Sequence, residues 1–215
     1  SGAKFQYADL TWKELCGSMA HLIAESGMGK GQLTSCIEAI MRKNRKHDEE
    51  EMQKLVSWQK AVKTKGANKE KPARPEVAFY FPPSDATNPA FLQNAMACEA
   101  YGGHTQFFNM TEIEQADRLC GGHKQVSQTI RNIYDMQRAG ALRATADGVT
   151  GNPTLRVNLT FSSTPVAARK FYKNELYVGT FGRIPFSYKA REGRSGKIPR
   201  VGKFGDHFLA QLDEY

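Results

Sequence analysis

The sequence predicts an α/β fold, a largely parallel sheet flanked by helices, with a basic helical insertion. Three observations predict it. Short apolar runs of strand type recur at residues 19–24, 77–81, 105–110 and 155–161. Longer stretches with apolar residues at helical spacing lie between them, the alternation that builds parallel sheets with helices on their faces. Breakers stand at the boundaries, among them Pro82-Pro83 and Gly102-Gly103.

Taken in order, residues 11–15 read as a short helix or turn, and Met19-Ala20-His21-Leu22-Ile23-Ala24 as a buried strand. Residues 25–31 concentrate Gly27, Gly29 and Gly31, and residues 32–41 carry apolar side chains at helical spacing. That helix runs on into 42–51, almost wholly charged, before Met52, Leu55, Val56 and Trp58 restore an apolar face. Residues 60–75, rich in Lys, Gly, Ala and Pro, read as a flexible connector. Residues 42–75 are therefore expected to form an insertion that projects from the sheet. Val77-Ala78-Phe79-Tyr80-Phe81 is a strong strand signal, followed by a helix through Phe91, Leu92, Met96 and Cys98 with Asp85 or Thr87 as its cap. Residues 105–110 give the next strand, 126–139 a helix through Ile130, Ile133 and Met136, and 155–161 an alternating strand. It ends in Ser162-Ser163-Thr164, and Pro165 sits where a helix tolerates proline in its first turn. There is no internal repeat.

The 215 residues suit one domain, 1–215, with a substantial core. Ser1-Gly2 and the ending at Asp213-Glu214-Tyr215 suggest a piece excised from a longer protein. The hydrophobic fraction is 40% and the formal charge +8, a balance that attracts anionic partners such as nucleotides, nucleic acid or anionic lipid. Cys16, Cys36, Cys98 and Cys120 are far apart and form no CxxC pair, which argues for reduced structural thiols in a cytoplasmic protein. No apolar run is long enough to cross a membrane.

Glu25-Ser26-Gly27-Met28-Gly29-Lys30-Gly31-Gln32 stands between a strand and a helix, the context of a phosphate-binding loop. Small residues let backbone N–H groups converge on phosphate oxygens, the helix offers its positive end, and Lys30 supplies a mobile charge. Relative to the usual P-loop pattern, Ala24 replaces the first glycine and Gly31 takes the place of the hydroxyl that holds magnesium. Gln32, Thr34 or water would complete the metal shell. The chain is thus expected to be a P-loop NTPase-like domain binding ATP and Mg2+.

Past the strand at 105–110, Glu112 is placed to orient a water or take its proton, and Glu112 with Glu114 to serve a magnesium ion. An ordinary helix-start glutamate behind Thr111 is the competing reading. Ser163 and Thr164 stand where hydroxyls sense a terminal phosphate, although loop capping explains them equally well. Arg183, within Gly179-Thr180-Phe181-Gly182-Arg183-Ile184-Pro185-Phe186, suits either an arginine finger or a structural salt bridge. Lys189, Arg191, Arg194, Lys197, Arg200 and Lys203 interleave with Tyr188 and glycines, a composition that grips a phosphate backbone or simply solvates a loop. His104 and His123 match no zinc spacing.

The ordered series Ala-Glu-Ser-Gly-Met-Gly-Lys-Gly, Phe-Phe-Asn-Met-Thr-Glu, Ser-Ser-Thr-Pro and Gly-Thr-Phe-Gly-Arg-Ile-Pro-Phe resembles the primase-associated, helicase-like P-loop ATPases of phages, plasmids and integrated mobile elements. It spans residues 21–188. Members often carry Ser-Asp-Glu after the second strand; here Met110-Thr111-Glu112 keeps the Glu and lacks the Asp. The resemblance implies ATP-driven remodelling of single-stranded or forked DNA as a homo-oligomer, with Arg183 as the matching arginine and primase-like or helical domains elsewhere in the full-length protein. Gly-Lys-Gly is similar to the loop of adenylate kinase, so a small-molecule kinase is one alternative. A nucleotide- or DNA-binding scaffold with degenerate catalysis is the other.

Overall fold

The computed structural model describes residues 4–5, 14–15, 17–64, 66, 70–121, 126–142, 149–173, 179–190 and 205–213. In chain order the elements are β1 (Lys4–Phe5), β2 (Glu14–Leu15), β3 (Met19–Ala24), α1 (Lys30–Ile40), α2 (Arg42–Thr64), α3 (Asn88–Ala100), β4 (Gln106–Met110), α4 (Gln115–Cys120), α5 (Val126–Tyr134), β5 (Val157–Ser163), α6 (Pro165–Tyr172), β6 (Phe186–Lys189) and α7 (Asp206–Asp213), with a 3-10 turn at Phe181–Arg183. β1 and β2 pair antiparallel. The other four strands form one all-parallel sheet in the order β4-β5-β3-β6.

Register decides what shares a face. His21 lies opposite Phe161 and Phe186, and Ile23 opposite Ser163 and Tyr188. Phe108 lies opposite Leu159, and Met110 opposite Phe161. With a side-chain period of two, these residues line one face of the sheet. Helices cover it: Phe91 of α3 meets Phe108 edge-on, Ile130 and Ile133 of α5 are fully buried in the same cluster, and Tyr172 of α6 reaches His21. Val157, Leu159 and Phe161 supply the β-propensity and the apolar area of the central strand.

The expected strand at 77–81 is extended but makes no ladder. Only Phe107 N–H, donating to Tyr80 O at 2.8 Å, links it to β4. Side chains pair four of its other backbone groups: Asn94 Oδ1 accepts from Phe79 N–H (2.8 Å), Asn94 Nδ2 donates to Phe79 O (2.9 Å), and the Asp48 carboxylate accepts from Tyr80 and Phe81 N–H (3.0 and 2.6 Å). Buried amides must be paired, and here helices α2 and α3 pair them in place of a neighbouring strand.

The stretch expected to be an insertion is one long helix, packed through its first half and largely exposed in its second. α2 runs unbroken to Thr64, and Asp48 and Glu51 in its first half are buried. The connector folds back on it: Trp58 Nε1 donates to Pro72 O (2.9 Å) and the Arg74 guanidinium lies 5.8 Å from the Trp58 ring centre. Two expectations change. Residues 14–15 are a strand, and α5 ends at Tyr134 because Met136 adopts a left-handed backbone (φ 46°) that no helix continues. Thr87 does occupy the cap position of α3, and Gly102 and Gly103 (φ 98° and 76°) terminate the turn after it. Among the described residues no helix is long and apolar enough to cross a membrane. Cys36, Cys98 and Cys120 are free, and burial pushes the Cys98 and Cys120 thiols up to about 12.

Candidate functional site

The parallel sheet opens its carboxyl edge between the loop after β3 and the ends of β5 and β4, the place where α/β sheets receive ligands. Met28 N–H returns to Glu25 O (3.3 Å), and Gly27 and Gly29 both adopt positive φ (77° and 86°). Such angles favour glycine and turn the chain directly into α1, which begins at Lys30. Lys30 Nζ bends back and donates to Ala24 O (2.7 Å) and Glu25 O (3.2 Å), so the ammonium sits over its own loop.

A Cβ built on Gly31 meets nothing within 4 Å. Packing therefore does not require glycine there. Gly31→Ser is expected to fold with unchanged or slightly higher stability, up to about 0.5 kcal/mol from the reduced freedom of the unfolded chain; a lower denaturation midpoint would show that the space is not open.

Glu112 and Glu114 are exposed in the turn beyond β4, and the Glu112 N–H donates to Gln115 Oε1 (3.3 Å). Among the described residues no three His, Cys, Asp or Glu side chains converge as a metal cluster. Beside this turn lies a cleft of about 420 Å³ of mixed lining, with Glu38 of α1, Arg45 and Asp48 of α2 and Asn109 facing Phe79 and Phe81. Asn109, absent from the sequence-derived candidates, is held by Thr160 Oγ1, which donates to its Oδ1 (2.8 Å). Its signal was available: Asn109 and Thr160 are polar residues on adjacent strands, edge strand β4 and inner strand β5, opposite one another in register.

The remaining candidates separate. Thr164 caps α6 by accepting from Ala167 N–H (3.3 Å), the capping role weighed for it. Arg183 donates to Gly179 O (3.0 Å) and to Asp135 Oδ2 (3.3 Å), and its guanidinium lies 5.7 Å from the Tyr134 ring centre. Lys189 ends β6, exposed, whereas Arg191, Arg194, Lys197, Arg200, Lys203 and His123 lie outside the described residues. The His104 ring packs 4.7 Å from Tyr80. Comparison with protein-family models, with curated proteins and with solved structures found no match.

Ser163 is engaged in a feature that strand periodicity concealed. His21, 1% exposed, bridges Ser163 Oγ (Nε2, 2.8 Å) and the Tyr172 hydroxyl (Nδ1, 3.0 Å), tying β3 to β5 and α6. Burial lowers the imidazole from 6.5 to about 4. The folded state thus holds His21 neutral where the unfolded chain protonates it, and stability present above pH 6.5 is lost as pH falls towards about 4. The whole loss is about 3 kcal/mol, of which about 2 kcal/mol falls between pH 7 and pH 5. Chemical denaturation between pH 7 and pH 5 is expected to show it, with His21→Gln flattening the dependence; an equal slope in both proteins would remove His21 as its source.

Proposed function

We propose that the chain is a nucleoside triphosphate-binding module that hydrolyses ATP within a DNA primase/helicase-like replication protein of the cytoplasm. One observation carries this reading: a buried parallel strand leads through two left-handed glycines into a helix whose first residue, Lys30, already lies over the loop. A triphosphate would replace the Ala24 and Glu25 carbonyls as partner of the ammonium, and the loop amides from Gly27 onward would face its oxygens. Glu112, exposed at the same sheet edge, would organise the attacking water. Glu112, Glu114 and Thr34 would be the residues to hold magnesium, which would supply charge neutralisation for the phosphates. Arg183 would stabilise phosphoryl charge across an oligomer interface only after leaving Asp135. Lys189 and the basic residues after it are the proposed contacts to single-stranded DNA.

Steady-state ATP hydrolysis with magnesium, measured with and without single-stranded DNA, tests the reading. DNA-stimulated release of phosphate supports it; tight nucleotide binding without turnover supports a scaffold instead. The cleft beside α1 favours a second reading, a small-molecule kinase, because it offers a candidate acceptor pocket against the helix that the loop opens. Phosphate transferred to a polyol or nucleoside rather than to water would establish that alternative.

A further inference from the structure

A second cavity, of about 500 Å³, opens on the helix-covered face of the sheet and is walled by Ile23, Tyr172, Phe181, Phe186 and Tyr188, with Arg169 and Lys173 among its lining residues. Its rings are unusually available. Tyr188 is 63% exposed and Phe181 42% exposed. Phe181 stacks on Phe186 (centroids 4.5 Å apart, 26° between planes), and Tyr172 stands edge-on to both. An exposed aromatic cluster of this kind is costly to leave in water and offers flat faces to a planar ring.

Its place ties it to the phosphate loop. Ile23, in the wall, is followed directly by Ala24, whose carbonyl holds Lys30 Nζ. Tyr188 lies opposite Ile23 in register on the adjacent parallel strand, so its ring stands at the same carboxyl edge. The volume falls in the range of small-molecule sites, roughly 300–1,000 Å³, and two cations on an otherwise apolar cavity suit a ligand that joins a flat ring to an anionic tail. We infer that this cavity is the subsite for the base and ribose of the nucleotide, with Tyr188 and Phe181 as stacking residues and Arg169 and Lys173 in its α6 wall. The inference rests on the phosphate-loop reading and adds a specificity site to it.

The test titrates the whole chain by calorimetry with ATP, with inorganic tripolyphosphate and with a single-stranded oligonucleotide, comparing wild type, Tyr188→Ala, Phe181→Ala and Lys30→Ala. Both aromatic side chains are exposed, so their truncation leaves the fold intact. Removing one stacking ring is expected to weaken ATP about tenfold, the low end of base–aromatic stacking, and to leave tripolyphosphate within about twofold. Lys30→Ala weakens both. The subsite is overturned if neither aromatic variant weakens ATP, if they weaken ATP and tripolyphosphate equally, or if they weaken only the oligonucleotide, which would make the cavity a DNA groove. A wild-type chain that ignores tripolyphosphate, or a Lys30→Ala variant that binds it undiminished, overturns the phosphate-loop reading itself and takes the subsite with it.

Discussion

Lys30→Ala is expected to lower ATP turnover by about 100- to 1,000-fold, the loss typical of removing one preorganised charge from a site of developing phosphoryl charge. Stability should hardly change. The ammonium makes two hydrogen bonds to carbonyls at a partly exposed loop, and water replaces such partners at a cost of about 1 kcal/mol or less. The two readouts therefore separate: activity or nucleotide affinity should collapse while the denaturation midpoint stays put. A variant that hydrolyses ATP at the wild-type rate would mean that the loop is only a glycine-rich turn carrying a lysine. A variant that loses activity together with its fold would mean that the lysine is structural.

The largest effect on stability is expected at Asn94. Its side-chain amide satisfies Phe79 N–H and Phe79 O and donates to Gln106 Oε1 (2.7 Å), and both Asn94 and Gln106 are buried. Asn94→Ala leaves Phe79 N–H and Gln106 Oε1 without this partner and Phe79 O with only the weak Cys98 thiol (3.5 Å), at about 1–3 kcal/mol for each lost bond, so a total of roughly 3–5 kcal/mol is expected once partial relaxation is allowed. Urea denaturation measures it. Gln93→Ala on the same helix, where the side chain is only partly buried and accepts from Arg74, should cost less than about 1 kcal/mol and serves as the comparison. A loss below about 1 kcal/mol at Asn94 as well would show that residues 77–81 do not depend on helix α3 for their place. The consequence reaches the site, because Phe79 walls the cleft beside α1.

Periodicity and breakers carried much of this architecture. The strand at Met19–Ala24, the glycine turn and the helix after it were legible because burial, left-handed angles and helix initiation each leave a residue-level mark. The all-parallel sheet followed from alternation of strand and helix. Residues 77–81 misled because β-propensity reports a fit to an extended, half-buried surface and says nothing about which groups pair with the backbone; here Asp48 and Asn94 do. Asp48 itself was hidden inside a charged run, where one buried carboxylate looks like its solvated neighbours. β6 went unread because four residues, largely exposed, carry too little pattern. In the sequence His21 is one member of an apolar run, and its partners Ser163 and Tyr172 are more than 140 positions away, beyond any local signal.

The self-held lysine sets a threshold for anions at the loop. An incoming anion must first outbid two carbonyl oxygens for the ammonium. Chloride or a single sulfate brings one weak interaction and gains little by the exchange. A chain of linked phosphates meets the lysine and several loop amides at once, and its second and later contacts form at high effective concentration. The loop would then discriminate by the number of connected charges before any other part of a ligand is examined, and it would keep its shape between ligands because its own side chain occupies the centre.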